Sequence, residues 1–208
     1  MGKAISKGEL VVFPTDTVYG VGSAPLSQVG LSRCYKIKKR VTEKKLPVLF
    51  SNFNEVHRFV KFSDVASLLA REFWPGKVTL ILPVKEQVDL PSDLIGEERT
   101  LGVRIPNHAC CLRLIDACGG SLIGTSANLS GHPSFIDPSD PALLEFAKDA
   151  DYFVRGECGT GKLSSTVLEL SKEGQIIIKR EGAITRERIS SYLERTSNAE
   201  FSFSAETS

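Results

Sequence analysis

Three short polar segments hold the residue types that could do chemistry. Pro14-Thr15-Asp16-Thr17-Val18-Tyr19-Gly20 follows one apolar stretch, Lys38-Lys39-Arg40 closes a basic run, and Thr125-Ser126-Ala127-Asn128 follows another apolar stretch. Open α/β sheets place ligands at such carboxyl-terminal strand ends. Lys38 and Arg40 can converge on a phosphate chain, the arginine through paired N–H groups and the lysine as a point charge. The other two segments supply short hydrogen-bonding side chains, although each alone also fits ordinary turn chemistry. Together the three describe a site for an anionic, polar small molecule.

Other chemistries fit less well. Gly156 to Lys162 matches the phosphate-loop spacing G-x-x-x-x-G-K, but the next residue is Leu163, where such a loop needs Ser or Thr for magnesium. The residues that follow, Ser164 to Leu168, read as a strand, whereas a phosphate loop leads into a helix N-terminus. The segment is therefore read as a glycine-rich connection. Gly124-Thr125-Ser126-Ala127-Asn128 lacks the second glycine of a nucleophile elbow, and His57, His108 and His132 have no supporting pattern. The cysteines, at 34, 110, 111, 118 and 158, are odd in number and include no Cys-x-x-Cys pair. That excludes a disulfide framework and a zinc site, and predicts reduced thiols.

These segments need a scaffold, and 208 residues suffice for one domain with a buried core. With 41% hydrophobic and 25% charged residues, the composition is that of a folded globular chain. The longest largely apolar run, Val78–Val84, is far below the roughly 20 residues that cross a bilayer. No membrane association and a cytoplasmic location are expected. Strands are predicted at 9–13, 47–50, 78–84, 100–105, 121–124, 152–155, 166–170 and 175–179. Helices are predicted at 26–38, 64–73 with Ser63 as N-cap, 110–118, 142–148, and from Thr185 to about 193. Glu173-Gly174 should turn the last two strands back on each other. The alternation predicts an α/β fold with a mixed sheet, residues 1–194 forming the domain and 195–208 a disordered tail. Net charge is only +1, yet Arg33 to Lys45 holds seven basic residues against Glu43. A local anion site explains such a run, and from charge alone so does a solvated helix end.

In this order the motifs resemble the YrdC/TsaC family. They are PTDTVYG after the first strand, Lys38 and Arg40 as K-x-R, and Trp74-Pro75-Gly76 before a Thr/Leu-rich strand. Val103-Arg104-Ile105-Pro106 supplies V-R-x-P, and Ser126 with Asn128 supplies S-x-N. The resemblance runs from about Gly8 to Ile184 and is to the short form, without the extra C-terminal domain of longer members. It implies a twisted mixed β-sheet with flanking helices around a basic concave cavity. It also implies L-threonylcarbamoyladenylate synthesis from L-threonine, bicarbonate or carbon dioxide, and ATP with Mg2+. The product would serve N6-threonylcarbamoylation of tRNA adenosine 37 through a downstream transferase complex.

By matching motif positions, Thr17, Arg104, Gly124 and Ser165 would contact threonine. Arg40, Lys44, Thr100, Ser126, Ser134 and Arg180 would line the ATP site. Lys38, Arg40, Ser126 and Asn128 would form the catalytic K-x-R and S-x-N pairs, with no metal-binding residues. Three positions depart from the family pattern: Val41 stands where proline is frequent, Leu49 where histidine is, and Arg180-Glu181-Gly182 replaces R-P-G. The alternative reading is an RNA-binding module, with the basic run gripping a tRNA or double-stranded RNA backbone weakly.

Overall fold

Short apolar runs punctuated by glycine and proline make the strands, and apolar residues at helical spacing make the helices that cover them. A computed structural model describes residues 2–5, 7–159, 161, 163–170, 175–196 and 203–205. The chain opens with α1 (Gly2–Ile5), β1 (Val11–Phe13), β2 (Gly20–Gly22), α2 (Gln28–Lys38) and β3 (Val48–Phe50). Then come α3 (Phe53–Phe59), α4 (Asp64–Phe73), β4 (Val78–Pro83), β5 (Thr100–Arg104) and α5 (Ala109–Ala117). The second half holds β6 (Ser121–Ile123), β7 (Thr125–Ser126), α6 (Pro141–Ala147), β8 (Tyr152–Phe153) and β9 (Thr166–Leu170). It ends with β10 (Ile176–Arg180), α7 (Arg186–Thr196) and β11 (Phe203–Ala205).

The strands form two mixed sheets, one more than expected. A four-stranded sheet has the order β7-β2-β1-β8, and a seven-stranded sheet the order β11-β10-β9-β4-β5-β3-β6. Parallel and antiparallel pairings alternate across the larger sheet. The two-residue periodicity of β1 divides the interior. Val12 enters a large core with Leu31 and Cys34 of α2, Leu143 of α6, and Val48, Leu80, Val103, Leu168 and Ile189. Val11 and Phe13 enter a smaller one with Ile5, Leu49, Cys111, Ile115 and Leu122.

Local chemistry explains most element ends. Ser63 caps α4 as predicted, its hydroxyl accepting from Ala66 N at 3.2 Å, and Ser27 does the same for α2 from Gly30 N at 3.1 Å. The three-residue strand β2 replaces an expected loop because Gly22 lets the backbones close: a Cβ there would sit 1.6 Å from Ile123 O. The helix α3 was not expected. It buries only Val56 and starts on Asn52, whose side chain accepts from Glu55 N at 3.1 Å. Lys162, the turn at Glu173-Gly174, and residues 197–202 and 206–208 of the expected tail lie outside the described residues. Phe203–Ala205 pair in parallel with β10. Among the described residues no helix is long and apolar enough to cross a membrane. All five cysteines are free, and burial pushes the Cys34 thiol up to about 12 and the Cys158 thiol to about 11.

Candidate functional site

Pro14 ends β1, and the polar residues after it fold into a buried turn before β2 begins. Thr15 Oγ1 donates to Val18 O at 2.7 Å and accepts from Thr17 N at 3.1 Å. That hydroxyl turn is what threonine supplies at this position. The turn is pinned from outside by the 156–159 loop. Gly159 N donates to Thr15 O at 2.9 Å, and Tyr19 Oη accepts from Gly156 N at 3.0 Å. Gly159 must be glycine, since a Cβ would lie 1.9 Å from Asp16 O. Beyond Leu163 the chain enters β9, a strand, as the connection reading requires.

Arg104, at the end of β5, meets this turn. Its Nη2 reaches Asp16 Oδ1 at 2.6 Å, Nη1 reaches Thr17 Oγ1 at 3.3 Å, and Nε donates to Gly76 O at 2.8 Å. Gly76 N in turn donates to Ile105 O at 2.8 Å, so the W-P-G and V-R-x-P segments act as one unit. Burial lowers the Arg104 pKa while Asp16 acts against that shift. Sequence reasoning passed over Asp16, because a carboxylate in a turn fits turn chemistry by itself.

A second arginine is placed by an irregularity in the sheet. The β9–β10 register shifts between Ile178 and Arg180, a device that re-aims a side chain. Arg180 consequently grips Ser165 O through Nη2 at 2.8 Å and Nε at 3.2 Å. Ser165 Oγ pairs with Thr79 Oγ1 at 2.9 Å, a partner that sequence reasoning also missed. The threonine of β4 looks like an ordinary strand residue, and only the parallel β4–β9 pairing reveals it.

K-x-R is spaced by a left-handed residue. The helix α2 ends at Lys38, Lys39 takes φ 48° and ψ 47°, and Arg40 leaves in a new direction. Lys38 is 1% exposed, and Nζ donates to Asn128 O at 2.9 Å, to Asn128 Oδ1 at 3.2 Å and to Ser126 O. Those acceptors account for all three N–H bonds of the ammonium. K-x-R and S-x-N are therefore one network, extended by Asn128 Nδ2 donating to His132 O. Arg40 turns Nε onto Lys44 O at 2.8 Å.

The remaining candidates are Thr100, Ser134 and Gly124. Thr100 lies at the other end of β5 from Arg104 and donates to Glu97 O at 2.8 Å. A Cβ on Gly96 would lie 2.8 Å from Thr100 Oγ1 and 4.0 Å from Lys45 Cγ, so Thr100 neighbours the 44–45 segment. Ser134 is half-buried on a loop held by Tyr19 N donating to Phe135 O at 2.8 Å. Gly124 faces Leu49, whose Cγ would lie 2.4 Å from an added Cβ. The Leu49 departure thus packs directly on a candidate threonine contact.

Electrostatics link the groups. Burial lowers the Arg180 pKa, with further lowering from Arg40 and then Arg104. Burial and then Arg40 push Lys38 down to about 7, and burial also lowers Arg40. Cations that depress one another this way favour a bound polyanion. The basic run itself is split. Lys38 points inward, whereas Lys36 and Lys39 line a separate cavity of about 900 Å³ floored by Leu10, Ile37 and Phe146. The run therefore does not present all of its charges on one face.

Comparisons with known proteins agree with the motif reading. A sequence-family profile described as Telomere recombination, covering Sua5, YciO and YrdC proteins, matches residues 3–182. Threonylcarbamoyl-AMP synthase of Pyrococcus abyssi (strain GE5 / Orsay) is 33% identical over 186 residues, 89% of this chain and 54% of that protein. A protein of the same name from Pseudoalteromonas translucida (strain TAC 125) is 30% identical over 171 residues, 78% of this chain and 87% of that one. The crystal structure of P. abyssi Sua5 complexed with L-threonine superposes with a TM-score of 0.85 at 30% identity. That match covers 98% of this chain and 57% of the other. The chain thus spans about half the length of the P. abyssi relative. By motif order, architecture and sequence, the chain belongs to the Sua5/YrdC family.

Proposed function

We propose that the chain is an L-threonylcarbamoyladenylate synthase, a nucleotidyltransferase using L-threonine, bicarbonate or carbon dioxide, and ATP. The observation that carries this reading is the buried Thr17–Arg104 contact, with Arg180 in electrostatic reach of both Arg104 and Arg40, in a chain 30% identical to a Sua5 complexed with L-threonine. Threonine's carboxylate would take the second N–H of Arg104 Nη1, the first being directed at Thr17, with Thr17, Gly124 and Ser165 closing the pocket. Arg40, Lys44 and Arg180 would neutralise the phosphates, and Thr100, Ser126 and Ser134 would complete the ATP site. Lys38 would contribute through the loop it holds, its N–H bonds already being directed at Ser126 and Asn128.

The reaction balances without a covalent enzyme intermediate. Threonine's amine adds to carbon dioxide and loses a proton, giving a carbamate. A carbamate oxygen then forms a bond to the α-phosphorus of ATP. The bond from that phosphorus to the bridging oxygen breaks, and pyrophosphate leaves with the electron pair. Positioning and charge neutralisation are the protein's contributions to such a displacement. Mg2+ would arrive on the phosphates of ATP. The product would pass to a tRNA threonylcarbamoyl transferase complex for adenosine 37, in the cytoplasm.

The test is pyrophosphate release from ATP in magnesium and bicarbonate. It should require both L-threonine and bicarbonate. Serine should be weaker by about 10- to 200-fold for its missing methyl, and valine, lacking the hydroxyl, should be essentially inactive. Release independent of the amino acid would overturn the reading.

A further inference from the structure

Asp16 is 5% exposed, and only half of its carboxylate is accounted for. Oδ1 receives Arg104 Nη2 at 2.6 Å, while Oδ2 is buried and has no hydrogen-bond partner among the described residues. A buried carboxylate oxygen without a donor is costly, and native proteins rarely leave one so. Its described neighbours do not supply that donor. Arg104 directs Nε at Gly76 O and Nη1 at Thr17 Oγ1, the Thr15 and Thr17 hydroxyls bond to each other, and Thr15 Oγ1 donates to Val18 O. A donor brought by a ligand would complete the set.

We propose that Asp16 Oδ2 accepts a hydrogen bond from the α-amino group of the amino-acid substrate, so that Asp16 and Arg104 hold the two ends of a zwitterion. This rests on the threonine reading above and adds to it the residue that recognises the amine. The charges match: a neutral Arg–Asp pair receives a neutral zwitterion, cation to carboxylate and carboxylate to amine, in a place where an unbalanced charge would be penalised. The contact also survives the first chemical step, because a carbamoylated nitrogen keeps one N–H. The site would therefore select α-amino acids over the corresponding hydroxy or deamino acids before any chemistry occurs.

The test is calorimetric titration of the whole chain with L-threonine and with (R)-3-hydroxybutyrate, which keeps the carboxylate, hydroxyl and methyl but has no amine. Wild type should bind L-threonine about 10- to 100-fold more tightly, the worth of one charge-assisted hydrogen bond. Asp16→Asn should erase most of that preference by weakening threonine and leaving (R)-3-hydroxybutyrate little changed. Equal affinities in wild type would overturn the proposal without any variant, which matters if Asp16→Asn fails to fold. Equal weakening of both ligands by Asp16→Asn would also overturn it, showing that Asp16 acts only by holding Arg104. Failure of wild type to bind L-threonine at all would remove the threonine reading itself. Threonine-dependent pyrophosphate release with an unread amine would remove only the role of Asp16.

Discussion

Single side chains in this site are best told apart by what their hydrogen bonds already do. Among the described residues Arg40 directs only Nε into the protein, at Lys44 O, so on the proposed function its remaining N–H groups serve ATP. Arg40→Ala should cost at least about a hundredfold in pyrophosphate release, in line with losing one charge-stabilising contact. Its thermal midpoint should stay close to wild type, because the side chain is only half-buried. Near-normal turnover would reduce the cluster to solvated charge. Lys38 differs, since its ammonium is committed to the Ser126–Asn128 loop. Burial and Arg40 lower its pKa from 10.5 to about 7. Between those values the unfolded chain holds the proton more often than the folded one, so this group makes folding more favourable as pH rises through the window. The urea midpoint of wild type should accordingly gain on that of Lys38→Met between about pH 6.5 and about pH 9.5. A constant difference between the two proteins would show that Lys38 keeps its ordinary affinity for protons.

At the scale of elements, the end of α2 separates the two halves of K-x-R. Lys39 is a non-glycine residue in the left-handed region, a conformation that costs an L-residue about 1–2 kcal/mol and glycine far less. Lys39→Gly should therefore raise the thermal midpoint by about 2–4 °C per kcal/mol recovered, and Lys39→Ile should lower it. A lower midpoint for the glycine variant would mean that the lysine side chain itself holds the helix end. This cap also marks how far sequence reaches. Pro14, the Ser63 cap and the Pro75-Gly76 stop are legible because each acts within a few residues. So are the pairings of Thr17 with Arg104 and of Lys38 with Asn128, once the motifs are taken in order. The left-handed turn at Lys39 is hidden, because nothing in a lysine between two basic residues announces positive φ. The second sheet is hidden for a different reason. Whether β9 pairs with β4 or a nearer strand depends on packing across more than eighty residues, and alternation within a strand carries no record of its partner.

Across the whole molecule, that long-range pairing makes the last third indispensable. The elements β9, β10 and α7 contribute Leu168, Ile176, Ile189 and Leu193 to the core, each fully buried. At about 1.5–3 kcal/mol per side chain, they supply an amount comparable with the whole stability of a typical domain, about 5–15 kcal/mol. A fragment ending at residue 164 should show no cooperative transition in urea by circular dichroism, whereas the full chain should show one. A cooperative fragment would mean that the four-stranded sheet and its helices fold alone. The interleaved strand order also sets a timetable for synthesis. On a ribosome adding about 5–20 residues per second, roughly 4–17 s separate completion of β4 from completion of β9. During that interval β4 has β5 on one side and an unpaired edge on the other, the kind of edge that recruits a foreign strand. Arg180 emerges later still, ten residues past the end of β9. The nascent chain thus carries an adhesive strand well before it has a site, and its hazardous period ends only when its final strands leave the tunnel.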